Sequence, residues 1–306
     1  MSRQARLLCV LAAAVGLTAL AASGTAAVLY SFGPPDATAS DPPNYDNCTL
    51  CHVGSAVNAG SGEVRIDGVP AAYTPGATYT LTVSLSDGTA SRWGFELVAL
   101  DESGNGAGTI TITDAARTQV SVSGNRSYVK HTSTGTDTGQ TGGTSWSFDW
   151  TAPAMGTGTV FFYVSGNAAN GNSSSNGDLI YNSATAAAEA GTAYADATLV
   201  MQPDSAFIAR GGFWTVYTRV RNHLASSWTP VFVSNVTLPT GSVFPGPNQF
   251  LENPINHPLV AEGLATGSIT HFIPSSAPIG TYTYNGFLGL LPNILIDTDS
   301  FSFTIF

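Results

Sequence analysis

The stretch Thr78-Tyr79-Thr80-Leu81-Thr82-Val83-Ser84-Leu85 alternates apolar side chains with hydroxyl-bearing ones. Successive side chains of a β-strand point to opposite faces of its sheet, so this period of two predicts a strand with one buried and one exposed face. The Pro75-Gly76 pair just before it is typical of a tight turn. The same period recurs at Trp146, Phe148 and Trp150, which share one face. These segments predict an all-β protein.

Further strand candidates are spread over the whole chain. In the first two thirds they are Gly94–Leu100, Thr109–Thr113, Thr118–Val122, Thr159–Val164 and Tyr194–Met201. A second set begins near Pro203 and comprises Phe213–Val220, Val231–Leu238, Ser268–Ile273, Gly280–Gly286 and Ser300–Phe306. Short strands between Gly- and Asn-rich turns favour β-sandwiches, and 306 residues exceed the usual size of one core. We therefore expect two immunoglobulin-like β-sandwich domains, at residues 28–200 and 201–306.

Two stretches lack the pattern of a strand. The run Thr132–Thr144 contains no apolar residue and is predicted to be a loop. The alanine-rich run Ala184–Ala190 fits either a short helix or a linker.

The first residues have the features of an export signal. Arg3 and Arg6 precede the apolar run Leu7–Leu20, and small residues follow it, which predicts a signal peptide over residues 1–27. The alternative is an uncleaved anchor, but the run is shorter than the roughly 20 residues that span a bilayer. Cys9 has no lipidation motif behind it. We therefore expect a secreted, periplasmic or cell-surface protein with no membrane span once the signal is removed.

The charge of the chain excludes one class of partner. The whole chain has a net charge of −10, and removal of the signal leaves eight basic residues against twenty acidic ones, a net charge near −12. Lys130 is then the only lysine. Nucleic-acid binding depends on Lys and Arg side chains at phosphates, so nucleic acid is not an expected partner.

The motif with the clearest chemistry is Cys48-Thr49-Leu50-Cys51-His52. Two thiols at this spacing can each add to one vinyl group of a porphyrin, and the adjacent imidazole can then bind the iron. Cys48 and Cys51 are the only cysteines after the signal, which excludes a disulfide scaffold. We therefore predict one covalent haem c on Cys48, Cys51 and His52.

Three other uses of this motif stay open. A thioredoxin-type dithiol normally belongs to a βαβ pattern, which this chain lacks. A structural zinc site needs four ligands, and no second Cys or His pair is present in the sequence to complete it. A simple disulfide between Cys48 and Cys51 is compatible with an oxidising compartment.

The sixth iron position needs another side chain or stays open. The candidates are His131, His223, His257, His271, Met155 and Met201. We favour His131, because it falls at the end of a predicted strand in the same domain as the cysteine motif. Met155, in a turn, is the second choice, and the remaining histidines are expected to be surface or hydrogen-bonded residues of the C-terminal domain. The predicted cofactor site is therefore Cys48, Cys51, His52 and His131, with both histidines as iron ligands.

Several motifs in order resemble bacterial reelin-type (Reeler) domains over residues 33 to 200. They are Gly33–Asp36, Asn47–His52, Tyr73–Gly76, Arg92–Leu97, Tyr128–Thr132, Trp146–Pro153, Gly166–Asn172 and Gly177–Tyr181. The resemblance implies a β-sandwich in an extracellular setting, and the bacterial look-alikes suggest a histidine at position 131. Reeler domains occur beside adhesion modules and beside haem redox modules, so the resemblance implies no single activity. The segment from Arg210 onward resembles generic bacterial surface β-domains.

These observations support two functions of different classes. The first is a monohaem c-type cytochrome that transfers electrons in the periplasm or at the cell surface, with a redox partner that the sequence does not identify. The second is an adhesive or structural module in which the haem or a disulfide only fastens the N-terminal loop. An enzyme is not expected, because no catalytic triad, carboxylate pair or phosphate loop stands out. A peroxidase-like activity would need an open iron position. Asp178 could contribute to a calcium site, but its loop lacks the regular carboxylate spacing of such sites, so a plain turn is favoured.

Overall fold

Strands make up nearly all of the regular structure. The computed structural model describes residues 30–191, 196–246, 249–290 and 294–306. Helices in this described part are 3-10 turns of three residues, Cys48–Leu50 and Thr134–Thr136, and none is long and apolar enough to cross a membrane. The predicted signal peptide, residues 1–27, lies outside the described residues. The all-β fold predicted from the alternation of residues is confirmed.

The N-terminal sandwich is built from ten strands in two sheets. They are β1 (Glu63–Asp67), β2 (Ala72–Tyr73), β3 (Thr78–Asp87), β4 (Arg92–Leu100), β5 (Thr109–Thr111), β6 (Thr118–Ser123), β7 (Arg126–His131), β8 (Gly142–Thr151), β9 (Val160–Ala169) and β10 (Leu179–Glu189). One sheet has the order β1-β3-β8-β5, and the other has the order β2-β10-β9-β4-β7-β6. The main core of this domain lies between the two sheets.

The pairing of β3 with β8 shows why the residue alternation decides the fold. Leu81 lies opposite Phe148, and both side chains are fully buried in the core. The next pair, Thr82 and Ser147, faces outward, and their hydroxyl oxygens lie 2.9 Å apart. A shift of one residue in the register of this strand pair would turn all of these apolar side chains toward solvent. Because burial of each large apolar side chain contributes about 1.5–3 kcal/mol, the observed register is strongly favoured.

In the described residues, the C-terminal sandwich contains nine strands. They are β11 (Ala197–Pro203), β12 (Phe207–Ile208), β13 (Phe213–Asn222), β14 (Val231–Thr237), β15 (Val243–Phe244), β16 (Ile255–Asn256), β17 (Leu264–Phe272), β18 (Gly280–Leu290) and β19 (Ile294–Ile305). One sheet has the order β11-β13-β17, and the other has the order β12-β19-β18-β14-β15, with β16 paired to β14. The change from one sandwich to the other falls between β10 and β11.

Two stretches differ from the sequence-based expectation. Most of Ala184–Ala190 belongs to β10, where Ala186 and Ala187 pack into different apolar clusters on the two sides of the sheet. A strand covered on both faces shows no alternation, which is why the sequence did not reveal it. The predicted loop Thr132–Thr144 ends early, because Gly142–Thr144 already pairs with β3. Backbone pairing there needs no apolar side chain.

Both sandwiches hold the segment that carries the cysteine motif. The backbone carbonyl of Ser40 accepts a hydrogen bond of 2.8 Å from the side-chain amide of Gln202 in β11. Tyr45 belongs to the core of the C-terminal sandwich and packs edge-on against Phe301, with 5.7 Å between ring centroids. The motif Cys48–His52 follows directly and lies on β9 of the N-terminal sandwich.

Candidate cofactor site

The cysteine motif forms a tight turn. Asn47 caps the 3-10 turn Cys48–Leu50, since its side-chain oxygen accepts hydrogen bonds from the backbone N–H and the hydroxyl of Thr49. The carbonyl of Cys48 then accepts the N–H groups of Cys51, at 3.3 Å, and of His52, at 3.0 Å. The turn brings both cysteines and the histidine to one side of the segment. Both thiols are free.

Cys48 is tied to the centre of a sheet. Its backbone N–H donates to the Ser165 hydroxyl of β9 at 3.3 Å, and that hydroxyl lies 3.2 Å from the Cys48 sulfur. Burial raises the pKa of the Cys48 thiol to about 12, so the thiol is protonated at neutral pH. Reactive dithiols carry a cysteine of lowered pKa, and Cys48 does not have this property.

His52 is oriented by a buried carboxylate. Its Nδ1 atom lies 2.6 Å from Oδ2 of Asp178, whose other oxygen accepts the backbone N–H of Asn170. Asp178 is only 2% exposed. A carboxylate at this distance fixes the proton on Nδ1 and leaves Nε2 with a free lone pair, which is the arrangement found in metal-binding histidines. The side-chain amide nitrogen of Asn167 lies 3.1 Å from that Nε2 atom.

His131 ends strand β7, as the sequence predicts, and is 6% exposed. Its Nδ1 atom accepts a hydrogen bond of 3.0 Å from the backbone N–H of Phe95 in β4 and lies 3.2 Å from the backbone oxygen of the same residue. Burial lowers the pKa of His131 to about 4. The ring is therefore neutral at physiological pH, which is the form that binds a metal.

Gly94 separates the two histidines. It pairs directly with Asn167 of β9, so a side chain at position 94 would point to the same face as Asn167, which contacts His52. A Cβ atom built on Gly94 would lie 2.8 Å from Cε1 of His131. The two imidazoles therefore lie on one face of the sheet, on either side of a residue that has no side chain.

The four predicted residues line one pocket. Cys48, Cys51, His52 and His131 line one pocket of about 110 Å³ that is partly open to solvent. Apolar residues of its lining include Pro34, Pro35, Leu50 and Ala169. Within the described residues, no group of three or more His, Cys, Asp or Glu side chains is arranged to hold a bare metal ion.

The N-terminal segment closes one wall of this pocket. Lys130 of β7 donates to the carbonyl of Pro34 at 2.7 Å and pairs with Asp36 at 2.5 Å. Gly33 has a φ of +115°, and a Cβ atom there would meet the backbone oxygen of His131 at 3.0 Å. Only glycine allows this close passage of the segment beside His131.

The other sixth-ligand candidates lie outside the pocket. Met155 is 81% exposed in the turn after β8, and Met201 belongs to the C-terminal core. His223 and His271 each form side-chain hydrogen bonds, as expected for them. His257 differs from the expectation, because it is buried and its Nε2 atom has no hydrogen-bond partner. It packs against an aromatic ring in a tightly filled region.

Sequence reasoning missed the residues that support the predicted ligands. The sequence favours a plain turn over a calcium site for Asp178, and in the structure its carboxylate contacts His52. The backbone of Val53 pairs with that of Asn176, which brings Asp178 beside His52 across 126 residues. The only sequence signal for this contact is an acidic residue at the end of a polar loop, directly before a strand.

Comparison with known proteins identifies one domain. Residues 46–168 match the family model of the Reeler domain. No curated protein matches the chain. Among solved structures, fragment 1 of the human F-spondin reeler domain is 25% identical, with 44% of this chain and 92% of that chain covered and a TM-score of 0.32. The Reelin-N domain of F-spondin is 24% identical, with coverages of 46% and 94% and a TM-score of 0.33.

A cohesin module from a Clostridium perfringens family 33 glycoside hydrolase is also similar, at 13% identity. It covers 44% of this chain and 98% of its own, with a TM-score of 0.33. The matched range 46–168 contains Cys48, Cys51, His52 and His131, whereas Asp178 lies beyond it. Residues 46–168 of the chain are therefore similar to the Reeler domain family.

Proposed function

We propose that this protein is an exported monohaem c-type cytochrome that transfers electrons in the periplasm or at the cell surface. The observation that carries the proposal is the shared pocket. Cys48, Cys51 and His52 line it together with His131, although 79 residues separate the two histidines along the chain. Cys48 and Cys51 would hold the haem covalently, and the two histidines would bind its iron.

The chemistry of these residues fits such a group. Asp178 leaves Nε2 of His52 available as a ligand atom, and the buried His131 is neutral. To bind iron through Nε2, His131 would carry its proton on Nδ1, which would donate to the Phe95 carbonyl in place of the hydrogen bond that Nδ1 accepts from the Phe95 N–H. The amide of Asn167 would move away from Nε2 of His52. The side-chain oxygen of Asn167 is buried and has no hydrogen-bond partner. Movement of the amide group would therefore break no hydrogen bond that this oxygen accepts.

Two imidazole ligands suit electron transfer. A bound haem supplies a one-electron couple, and its potential depends on the axial ligands, burial and nearby charges. His52 and His131 would together hold the group and leave no open position for oxygen or peroxide. Histidine at both positions gives a lower potential than methionine at one of them.

A structural role is the second candidate. It is favoured by the contacts of Ser40 and Tyr45 with the C-terminal sandwich, which show that the motif segment joins the two domains. A covalent group on Cys48 and Cys51 would then fasten this joint, with adhesion carried by the sandwiches. In this case the haem would not need to accept electrons reversibly.

The direct test is production of the protein in a host with c-haem maturation. We expect a haem stain that survives denaturation and an α band of the c type that shifts on reduction by dithionite. Replacement of both Cys48 and Cys51 by alanine should abolish the covalent stain, whereas Met155→Ala should retain it. Wild-type protein without covalent haem would contradict the proposal, and a haem that cannot be cycled between its redox states would favour the structural role.

A further inference from the structure

We propose that Arg92 binds a propionate carboxylate of the haem at the end of the pocket where the Arg92 side chain lies. The inference rests on the proposed function and assigns the orientation of the group in its site. It follows from the positions of three residue pairs of strands β4 and β9 that lie beneath the pocket. Each pair is called a row below.

The rows are defined by the register of β4 against β9. Glu96 pairs with Ser165, Gly94 with Asn167, and Arg92 with Ala169. Residues two apart along a strand point to the same face, so these rows follow one another on the face that carries the pocket. From the Glu96 row to the Arg92 row, the strand covers four residues, about 13 Å. The histidines flank the middle row, at Gly94.

The first row marks the thioether end of the site. Cys48 is fixed beside Ser165, with 3.2 Å between its sulfur and the hydroxyl oxygen. Glu96 in this row is fully buried. The vinyl groups of a haem lie at the edge of the porphyrin opposite the two propionates. With the vinyl edge held at Cys48 and the iron between the histidines, the propionates extend toward the row of Arg92.

Arg92 has the chemistry that a carboxylate needs. In the part of the chain that the structure describes, it is the only lysine or arginine that lines the pocket. Its guanidinium donates a hydrogen bond of 2.9 Å to the hydroxyl of Ser31, which also lines the pocket. Among the described residues, no carboxylate lies within ion-pair distance of Arg92. The planar guanidinium binds a carboxylate through two parallel hydrogen bonds, a geometry that lysine cannot reproduce.

Asp178, the acidic residue of the pocket lining, does not compete for Arg92. Its two oxygens are occupied by His52 and by the backbone N–H of Asn170. A partly buried propionate without a cation would favour oxidised iron through its negative charge. Arg92 would offset that charge and so raise the potential.

The test compares Arg92→Gln with Arg92→Lys and with Arg65→Gln. Arg65 is an exposed arginine of β1 in the other sheet and serves as the matched control. After the spectrum has established covalent low-spin haem, the midpoint potential is measured by spectroelectrochemistry and the propionate bending mode by resonance Raman. We expect Arg92→Gln to shift the redox equilibrium toward oxidised iron by up to about tenfold, which is about 59 mV for one electron. The propionate mode should shift as well.

Arg92→Lys should lie between Arg92→Gln and the wild type, because it keeps the charge and loses the two-pronged contact. Arg65→Gln should match the wild type in both measurements. Haem-loaded Arg92→Gln with an unchanged potential and propionate mode would overturn this inference and leave the proposed function intact. Absence of covalent haem from the wild type would overturn both. If Arg92→Gln fails to accumulate, the midpoint potential and propionate mode of Arg92→Lys test the inference instead.

Discussion

The Nδ1 atom of His52 lies 2.6 Å from a carboxylate oxygen of Asp178, and 126 residues separate the two in sequence. This contact explains how a histidine that is 22% exposed in its side chain is held in one orientation. A partner of this kind fixes the tautomer of a ligating histidine and makes it a stronger donor to the metal.

Asp178→Asn tests this role. The amide keeps the size of the side chain and removes its charge, so the imidazole becomes a weaker donor and oxidised iron is less stabilised. We expect the midpoint potential to rise by tens of millivolts. For one electron, about 59 mV corresponds to a tenfold change in the redox equilibrium constant. Asp149→Asn, on the exposed hydroxyl face of β8, is the control. A potential unchanged from the wild type would show that Asp178 only fills space.

Gly94→Ala tests the gap between the histidines. The added Cβ would lie 2.8 Å from the ring of His131, so the ring has to move. We expect a loss of about 1–3 kcal/mol in the free energy of unfolding of the haem-free protein, measured with denaturant. Gly88→Ala is the matched control, since a Cβ there meets no atom within 4 Å. Equal stabilities for the two variants would contradict the placement of His131.

The two thiols should differ in reactivity when no haem is attached. Both cysteines are partly exposed, but Cys48 is hydrogen-bonded to Ser165 and burial of its thiol raises its pKa to about 12. Alkylation of the folded protein at pH 8, followed by mass spectrometry, should label Cys51 well before Cys48. In denaturant the two should react alike. Faster labelling of Cys48 in the folded state would instead support a reactive dithiol.

Asp299 predicts a pH dependence of the C-terminal sandwich. Its carboxylate accepts the backbone N–H of Met201 at 2.6 Å, and burial raises its pKa to about 7 from the ordinary 3.8. Since the folded state holds this proton more tightly than the unfolded state, its stability contribution is present below pH 4 and is lost as the pH rises to 7. The size of the effect is on the order of 4 kcal/mol.

Denaturant unfolding of the wild type and of Asp299→Asn between pH 4 and 8 measures this effect. The difference between the two proteins isolates Asp299 from Glu96, whose pKa burial also raises to about 7, and from His131, which titrates in the opposite sense. We expect Asp299→Asn to gain stability relative to the wild type as the pH rises. A difference that does not vary with pH would contradict the assignment.

The sequence predicted the fold class where strands have one buried and one exposed face, as in β3. It did not reveal β10, because Ala186 and Ala187 are covered on opposite sides and no alternation results. The choice of His131 followed from its place after a predicted strand, and the structure puts it in the same pocket as His52. Both of these expectations depend on local sequence.

The roles inferred for Asp178, Gly94 and Arg92 could not be predicted in the same way. Each depends on the register between strands or on a bridge between loops that are distant in sequence. Gly94 matters only because β9 and β7 lie on either side of β4. Asp178 matters only because the segment after His52 pairs with the loop before β10.

The central claim is that His52 and His131 bind one iron from its two sides. The measurement that tests it most directly is electron paramagnetic resonance of the oxidised, haem-loaded protein, with His131→Ala beside the wild type. We expect a low-spin, bis-imidazole signal in the wild type. In His131→Ala we expect a high-spin signal, and the reduced iron should bind carbon monoxide. An unchanged low-spin signal in His131→Ala would contradict the account.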